Sequence, residues 1–141
     1  MIASGSVNYN MYEINSTYRA GRFSTMYNAA LSIGKEFIFS NRRVLGFDIR
    51  GTSRNGFREP VIQPELTGQD YILQLPPYFR ADLRISYKKE KKKSTAIWSL
   101  DIQNVSNSRN VSYHYYDDVT GKVEPRYQLG IIPVLGYKVM F

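Results

Sequence analysis

The sequence predicts an all-β chain, in which about six antiparallel strands form a segment of a transmembrane β-barrel. Three observations support this prediction. Apolar and polar residues alternate along six segments, the connections between the segments alternate between short and long, and aromatic residues gather at the segment ends. Strands that cross a bilayer, with one face against lipid and the other against water, show these patterns together.

Residues 78–88 show the alternation most clearly. An apolar set alternates with a polar set, namely Phe79, Ala81, Leu83, Ile85 and Tyr87 with Arg80, Asp82, Arg84, Ser86 and Lys88. A period of two places the two sets on opposite faces of a strand, whereas a helix would leave no coherent apolar stripe. Because the polar face carries charges of both signs, we expect it to line a wet lumen. The predicted lumen-facing residues are Arg80, Asp82, Arg84, Asp101 and Gln103.

Five further segments alternate in the same way, within residues 3–11, 27–33, 45–50, 98–103 and 129–141. Strands of about ten residues are long enough to cross a bilayer at a tilt. Six strands are nevertheless fewer than the roughly eight of the smallest single-chain barrels. We therefore expect residues 1–141 to be the C-terminal segment of a larger barrel, whose other strands come from an N-terminal part of the same protein.

The connections also alternate. Residues 39–43 and 90–94 are predicted as short polar turns, and residues 14–25, 54–77 and 107–127 as long loops. Five of the six prolines fall in the long loops, where no strand donor is lost. In transmembrane barrels the short turns face the periplasm and the long loops face outside.

Aromatic residues are predicted to mark both ends of the strands. Tyr9, Tyr12, Tyr27, Tyr78, Phe79 and Tyr127 fall at the long-loop end, and Phe37, Phe39, Tyr87, Trp98, Tyr137 and Phe141 at the short-turn end. Strand direction alternates, so aromatics of two interfacial girdles should change ends from one strand to the next, as these do.

The net charge of +7 is concentrated in one turn. The run Lys88–Lys93 contains five lysines and one glutamate, a net +4, which leaves only +3 for the rest of the chain. Such a run is typical of a solvated turn. Attraction to anionic lipid headgroups is the next interpretation, and nucleic-acid binding comes third.

Composition limits the chemistry. The chain has no cysteine and one histidine, so a thiolate metal site is excluded and we expect neither a cofactor nor catalysis. His114 is interpreted as a solvated loop residue. No apolar stretch is long enough for a transmembrane helix. The first residues lack the basic and apolar regions of a signal peptide, and this too favours a fragment.

Three stretches in order carry a family resemblance: Leu75–Arg84 (LPPYFRADLR), Leu100–Asn107 (LDIQNVSN) and Tyr127–Tyr137 (YQLGIIPVLGY). Together with Gly34–Phe37 (GKEF), they resemble the C-terminal barrel of TonB-dependent outer-membrane receptors of the Bacteroidetes type. The resemblance implies part of the barrel wall of a receptor for energy-coupled nutrient uptake, in the outer membrane of a Gram-negative bacterium. It also implies a plug domain and a contact with the TonB complex, neither of which lies in these residues.

The final residues suggest a further partner. The alternate positions Leu135, Tyr137, Val139 and Phe141 resemble the C-terminal signal that the barrel-assembly machinery reads, through strand addition at an exposed edge. Pro133 departs from an ideal central strand because it removes a ladder donor.

The substrate stays open. Tyr113, Tyr115 and Tyr116 are candidates for an extracellular loop that contacts a siderophore, a glycan or a peptide, since aromatic stacking suits all three. Two other functions also stay open. One is a soluble, basic β-sheet module that binds nucleic acid, although its lysines and tyrosines would lie at opposite strand ends. The other is a barrel with a structural or adhesive role and no transport.

Overall fold

The computed structural model describes residues 2–40, 42–60 and 73–141. Parts of the predicted turn at 39–43 and of the predicted loop at 54–77 therefore lie outside the described residues. Those ranges hold twelve strands: β1 (Ile2–Ser6), β2 (Met11–Ile14), β3 (Thr17–Ala20), β4 (Asn28–Ser40), β5 (Arg43–Arg54), β6 (Arg58–Glu59), β7 (Leu73–Gln74), β8 (Tyr78–Glu90), β9 (Thr95–Gln103), β10 (Val111–Asp117), β11 (Lys122–Tyr127) and β12 (Ile132–Met140). Over the same residues, no helix could span a membrane.

Six of the strands form one continuous antiparallel sheet in the order β1-β4-β5-β8-β9-β12. The prediction of an all-β antiparallel chain is confirmed, and each of the six alternating segments contributes one strand to this sheet. The sheet follows the chain order of those segments, so each strand pairs with its neighbours along the chain. The short turns therefore all lie at one end of the sheet and the long connections at the other.

The prediction of a first strand over residues 3–11 is wrong beyond Ser6, where β1 ends. The carbonyls of Asn8 and Asn10 accept backbone hydrogen bonds from Met26 (3.0 Å) and Gly21 (2.8 Å). The chain thus leaves the sheet to pair with the first long connection. Asn8 and Asn10, which weaken the alternation in this segment, are the residues that form these bonds outside the sheet.

Three two-stranded hairpins, β2–β3, β6–β7 and β10–β11, lie in the three long connections. The first hairpin begins at Met11, before the predicted loop at 14–25, and the other two fall within the predicted loops. Asn15 and Ser16, with φ of 51° and 59°, form the tight turn of the first hairpin, because two-residue hairpin turns favour a positive φ at both positions. In the third hairpin the Asp117 carboxylate accepts hydrogen bonds from the Val119 amide (3.0 Å) and the Thr120 hydroxyl (2.9 Å). Both bonds lower the pKa of Asp117, and the bond from the Val119 amide has the larger effect.

The large sheet lacks a hydrophobic core. Among the described residues only two hydrophobic side chains are buried, Leu75 and Ala96, whereas Leu135 is 83% and Ile49 56% exposed. The accessible surface of the chain is 10512 Å², and a compact monomer of this length exposes about 7,500 Å². The register explains this excess, because it places most large apolar residues of the sheet on one face, which no other layer of the described residues covers.

One row of cross-strand partners on this apolar face is mostly aromatic. We call it the aromatic row: Phe37, Leu45, Tyr87, Trp98 and Tyr137, on five adjacent strands. The Trp98 ring centre lies 5.7 Å from that of Tyr87 and 5.3 Å from that of Tyr137. The row lies near the short turns, where the sequence places four of its members.

Lys35 is a charged residue within the apolar face, since its cross-strand partner is Phe47. Its ammonium lies 5.4 Å from the centre of the Phe37 ring, so the charged end reaches towards the short turns while the aliphatic stem stays among apolar neighbours.

Two glycines allow close packing on the polar face. A Cβ added at Gly46 would lie 2.6 Å from Ser86 Oγ and 4.0 Å from Ser86 Cβ, and Gly136 stands in the same relation to Ser99, at 2.5 and 3.9 Å. Each glycine is the direct cross-strand partner of its serine. The serine hydroxyls occupy the space that a larger residue would need.

This geometry tests the pairing of β5 with β8. A Cβ–Cβ separation near 4.0 Å suits a disulfide, so the double variant Gly46→Cys/Ser86→Cys should oxidise to an internal disulfide in the folded protein. Mass spectrometry of the oxidised peptide pair measures it without background, because the chain has no other cysteine. Gly46→Cys/Ser99→Cys is the control and should remain reduced, since Ser99 lies two strands away from Gly46. The reverse result would show that the strand order is wrong.

Candidate functional site

The charged face of the sheet brings together residues from adjacent strands. Arg84 lies opposite both Asp48 on β5 and Asp101 on β9, and its Nε is 3.5 Å from Asp101 Oδ1. Arg50 lies opposite Asp82. Opposite charges at directly facing positions stabilise a sheet.

All five residues predicted to face a lumen line one open cavity on this face, of about 610 Å³. Arg80, Asp82, Arg84, Asp101 and Gln103 share it with Ser32, Asp48 and Arg50. The sequence prediction of the lumen set missed these last three, although their alternation within their own strands was a usable signal. Three arginines and three aspartates leave this surface with no net charge. Leu83, Ile102 and Val134 also line the cavity, and its charged residues are suited to contact with water or with a polar domain.

The three stretches that carry the family resemblance meet at one point, the turn after β9. Asn104 is 3% exposed and adopts φ of 53°. Its backbone amide donates to Asp82 Oδ1 at 2.9 Å in the first stretch. Its side-chain Nδ2 donates to the Leu129 carbonyl at 3.3 Å in the third.

The same Asn104 side chain also holds the turn together. Its Nδ2 donates to the Ser108 carbonyl at 3.1 Å, and its Oδ1 accepts from the Ser108 amide at 3.0 Å and the Ser106 hydroxyl at 3.1 Å. The Val105 amide donates to the Ala81 carbonyl at 2.8 Å. This network, which we call the Asn104 junction, joins β8, the turn after β9 and the entry to β12. It is a structural junction at the long-loop end of the charged face.

A second asparagine ties the third hairpin to the sheet. Asn110 is 7% exposed, and its side chain forms two bonds with the backbone of Phe79: the Phe79 amide donates to Oδ1 at 3.0 Å, and Nδ2 donates to the Phe79 carbonyl at 2.8 Å. Beside it, the Arg54 guanidinium lies 3.7 Å from the Phe57 ring centre and 4.6 Å from that of Tyr78. The bases of the long connections are thus held by specific contacts.

The interpretation of His114 as a solvated loop residue is wrong. Its side chain is 20% exposed, and its Nδ1 lies 2.8 Å from Oε2 of Glu59, which is 12% exposed. The same oxygen accepts a bond from the His114 amide at 3.3 Å. The pair joins β6 to β10 across 55 positions of sequence. It has a positioning role that no local pattern could reveal.

The candidate loop tyrosines Tyr113, Tyr115 and Tyr116 all lie on β10, with 49%, 38% and 38% of their surface exposed. They stand on a hairpin beyond the long-loop end of the sheet. The lysine run Lys88–Lys93 lies at the opposite end, over the last residues of β8 and the turn before β9.

The candidate assembly residues lie on or next to an edge strand. Leu135, Tyr137 and Val139 share the apolar face of β12, and Phe141 follows the strand. Within the described sheet β12 pairs only with β9, so one of its sides is available for strand addition. Pro133 lies on this edge of the described sheet, and proline is tolerated in edge strands.

No metal centre is evident, since among the described ranges no three histidine, aspartate or glutamate side chains lie close enough to hold an ion. Comparison of the chain with protein-family models, with curated proteins and with solved structures found no match. Inference about the site therefore rests on its geometry.

The Asn104 junction should depend on both side chain and backbone of Asn104. We expect Asn104→Ala to lower the free energy of unfolding by about 3 kcal/mol, because it leaves buried partners unsatisfied and keeps a left-handed backbone without the asparagine. Asn104→Gly should cost about 1 kcal/mol less, since glycine adopts this φ freely. Urea unfolding in detergent, followed by fluorescence, measures both. Equal effects of the two variants would contradict the backbone part of the argument.

Proposed function

We propose that this chain forms part of the wall of an outer-membrane β-barrel of the TonB-dependent receptor class. In this role it serves energy-coupled uptake of a siderophore, a glycan or a peptide across the outer membrane of a Gram-negative bacterium. The observation that carries the proposal is the division of one continuous sheet into an exposed apolar face and a charge-balanced polar face. The apolar face of such a sheet needs a lipid environment, and the polar face needs water.

A bilayer is the best covering for the apolar face. The two 13-residue strands, β4 and β8, extend about 43 Å at a rise of 3.3 Å per residue, and a tilt near 45° turns this into about 30 Å, the thickness of the hydrocarbon core. The aromatic row crosses five strands at one level, as expected of an interfacial girdle. A soluble partner layer would require neither feature.

The open edges argue for a closed barrel. Strands β1 and β12 each have one neighbour in the described sheet. An unpaired backbone group in lipid costs several kcal/mol, so a sheet in a membrane must close on itself. Further strands from the same receptor, placed by the barrel-assembly machinery, meet this requirement.

The receptor class is favoured by the positions of the three family-like stretches. All three contribute to the Asn104 junction, so the three stretches form one structural unit at the long-loop end of the sheet. In the proposed receptor, the charged face lines the lumen and faces a plug domain. Tyr113, Tyr115 and Tyr116 extend outside the cell, where they are available to the nutrient.

The nucleic-acid alternative is less favoured, because the lysine run and the exposed tyrosines lie at opposite ends of the sheet. A groove that binds single strands combines basic and aromatic residues on one surface. A barrel with only a structural or adhesive role shares this fold, and only a transport measurement separates it from a receptor.

The proposal fixes the orientation in the membrane. In intact cells that carry the full-length protein, a cysteine at Tyr115 should react with an impermeant thiol reagent and a cysteine at Lys92 should not, because the first lies on an outer hairpin and the second in a periplasmic turn. Gel shift of the labelled protein measures both.

Permeabilised cells provide the control, since both cysteines should then react. Labelling at position 92 and not at 115 in intact cells would overturn the orientation.

Transport is tested by deletion of the gene. The deletion should abolish growth on one limiting nutrient, which a strain without TonB also fails to use. Normal growth of the deletion strain on every siderophore, glycan and peptide supplied would favour the non-transporting barrel.

A further inference from the structure

The two short turns at the β4–β5 and β8–β9 connections lie side by side and form a basic cavity. The Glu90 amide donates to the Arg42 carbonyl at 2.8 Å, which joins the turns directly. The cavity between them measures about 830 Å³ and is lined by Phe39, Arg42, Arg43, Lys89, Glu90, Lys91 and Lys92. We call it the turn cavity. Five of its seven lining residues are cations and one is a carboxylate.

Two of these cations face each other. Arg43 and Lys89 are direct cross-strand partners, and both lie on the apolar face, one row beyond Leu45 and Tyr87 of the aromatic row. Like charges directly opposite each other destabilise a sheet. An anion between them removes that cost.

The single carboxylate of the turn cavity does not neutralise this pair. Glu90 forms a salt bridge with Lys88, and both side chains alternate away from Lys89, on the charged face of the sheet. The other three cations of the cavity are Arg42, Lys91 and Lys92, and their side chains are exposed. The cavity therefore presents an excess of positive charge where the apolar face ends.

We infer that the turn cavity binds the phosphate of an anionic phospholipid in the membrane leaflet nearest the short turns. The order along the apolar face supports a lipid over a free phosphate: aliphatic residues come first, then the aromatic row, then Arg43 and Lys89. This order follows acyl chains, the interface and the headgroup of a single lipid molecule. Phe39, which lines the cavity and is 68% exposed, adds apolar surface beside the phosphate. The inference rests on the proposed function, since it needs the apolar face to lie in a bilayer.

Native mass spectrometry of the full-length protein refolded in detergent tests the inference. The probes are dioctanoyl phosphatidylglycerol, the neutral dioctanoyl phosphatidylcholine, and inorganic phosphate. We expect the anionic lipid to bind preferentially. The double variant Arg43→Gln/Lys89→Gln should bind it about 30-fold more weakly, because each cation near an anionic lipid contributes about fivefold.

Two matched variants complete the design. The charge-conserving Arg43→Lys/Lys89→Arg should keep the preference for the anionic lipid. Lys122→Gln/Arg126→Gln, which removes two cations from β11 at the other end of the sheet, should change binding less than twofold. Equal binding of both lipids, binding of phosphate as tight as that of the lipid, or an equal loss in the β11 variant would each overturn the lipid site.

Heat-modifiable migration in gels separates failure of this inference from failure of the proposed function. Variants that retain heat-modifiable migration but show no preference for the anionic lipid would overturn the turn-cavity site alone. Absence of heat-modifiable migration in the unmodified protein, in any detergent or bilayer, would overturn the barrel and the lipid site with it.

Discussion

The continuous antiparallel register of six strands is the constraint on which the rest of the structure depends. Since side chains alternate along each strand and align across strands, the register collects most aliphatic and aromatic residues on one face and most charged residues on the other. No second layer covers the apolar face, and only two hydrophobic side chains are buried among the described residues. The sheet therefore lacks the usual source of stability of a soluble domain, which is burial of apolar surface against itself. In the proposed function, the bilayer supplies the apolar surroundings that stabilise this face.

The long-loop end is organised by a different kind of interaction. Asparagine side chains, rather than hydrophobic contacts, fix the connections there: Asn104 joins three segments and Asn110 holds the backbone of Phe79. Buried amides of this kind are costly when unsatisfied and specific when satisfied. They give the connection that carries the third hairpin a fixed position relative to the sheet.

The sequence predicts the sheet well because the alternation is local. Residues 78–88, for instance, carry the pattern of β8 without reference to any partner. The hairpins in the connections are too short to show such a pattern. Their positions depend on contacts between distant residues, as between His114 and Glu59, and on positive φ angles at Asn15 and Asn104. The sequence prediction named five of the polar residues that line the charged cavity and omitted Ser32, Asp48 and Arg50. The alternation within one strand does not show which residues of neighbouring strands lie beside each other.

The central claim is that one face of the sheet contacts lipid and the other contacts water. Nitroxide labels on single cysteines at successive positions 80–87 of β8, in the protein reconstituted into bilayers, test this most directly. The account predicts that collision with oxygen, which concentrates in lipid, peaks at odd positions, and that collision with a water-soluble nickel chelate peaks at even positions. Equal access of the nickel chelate to both sets, or odd positions shielded from both reagents as in a protein core, would contradict it.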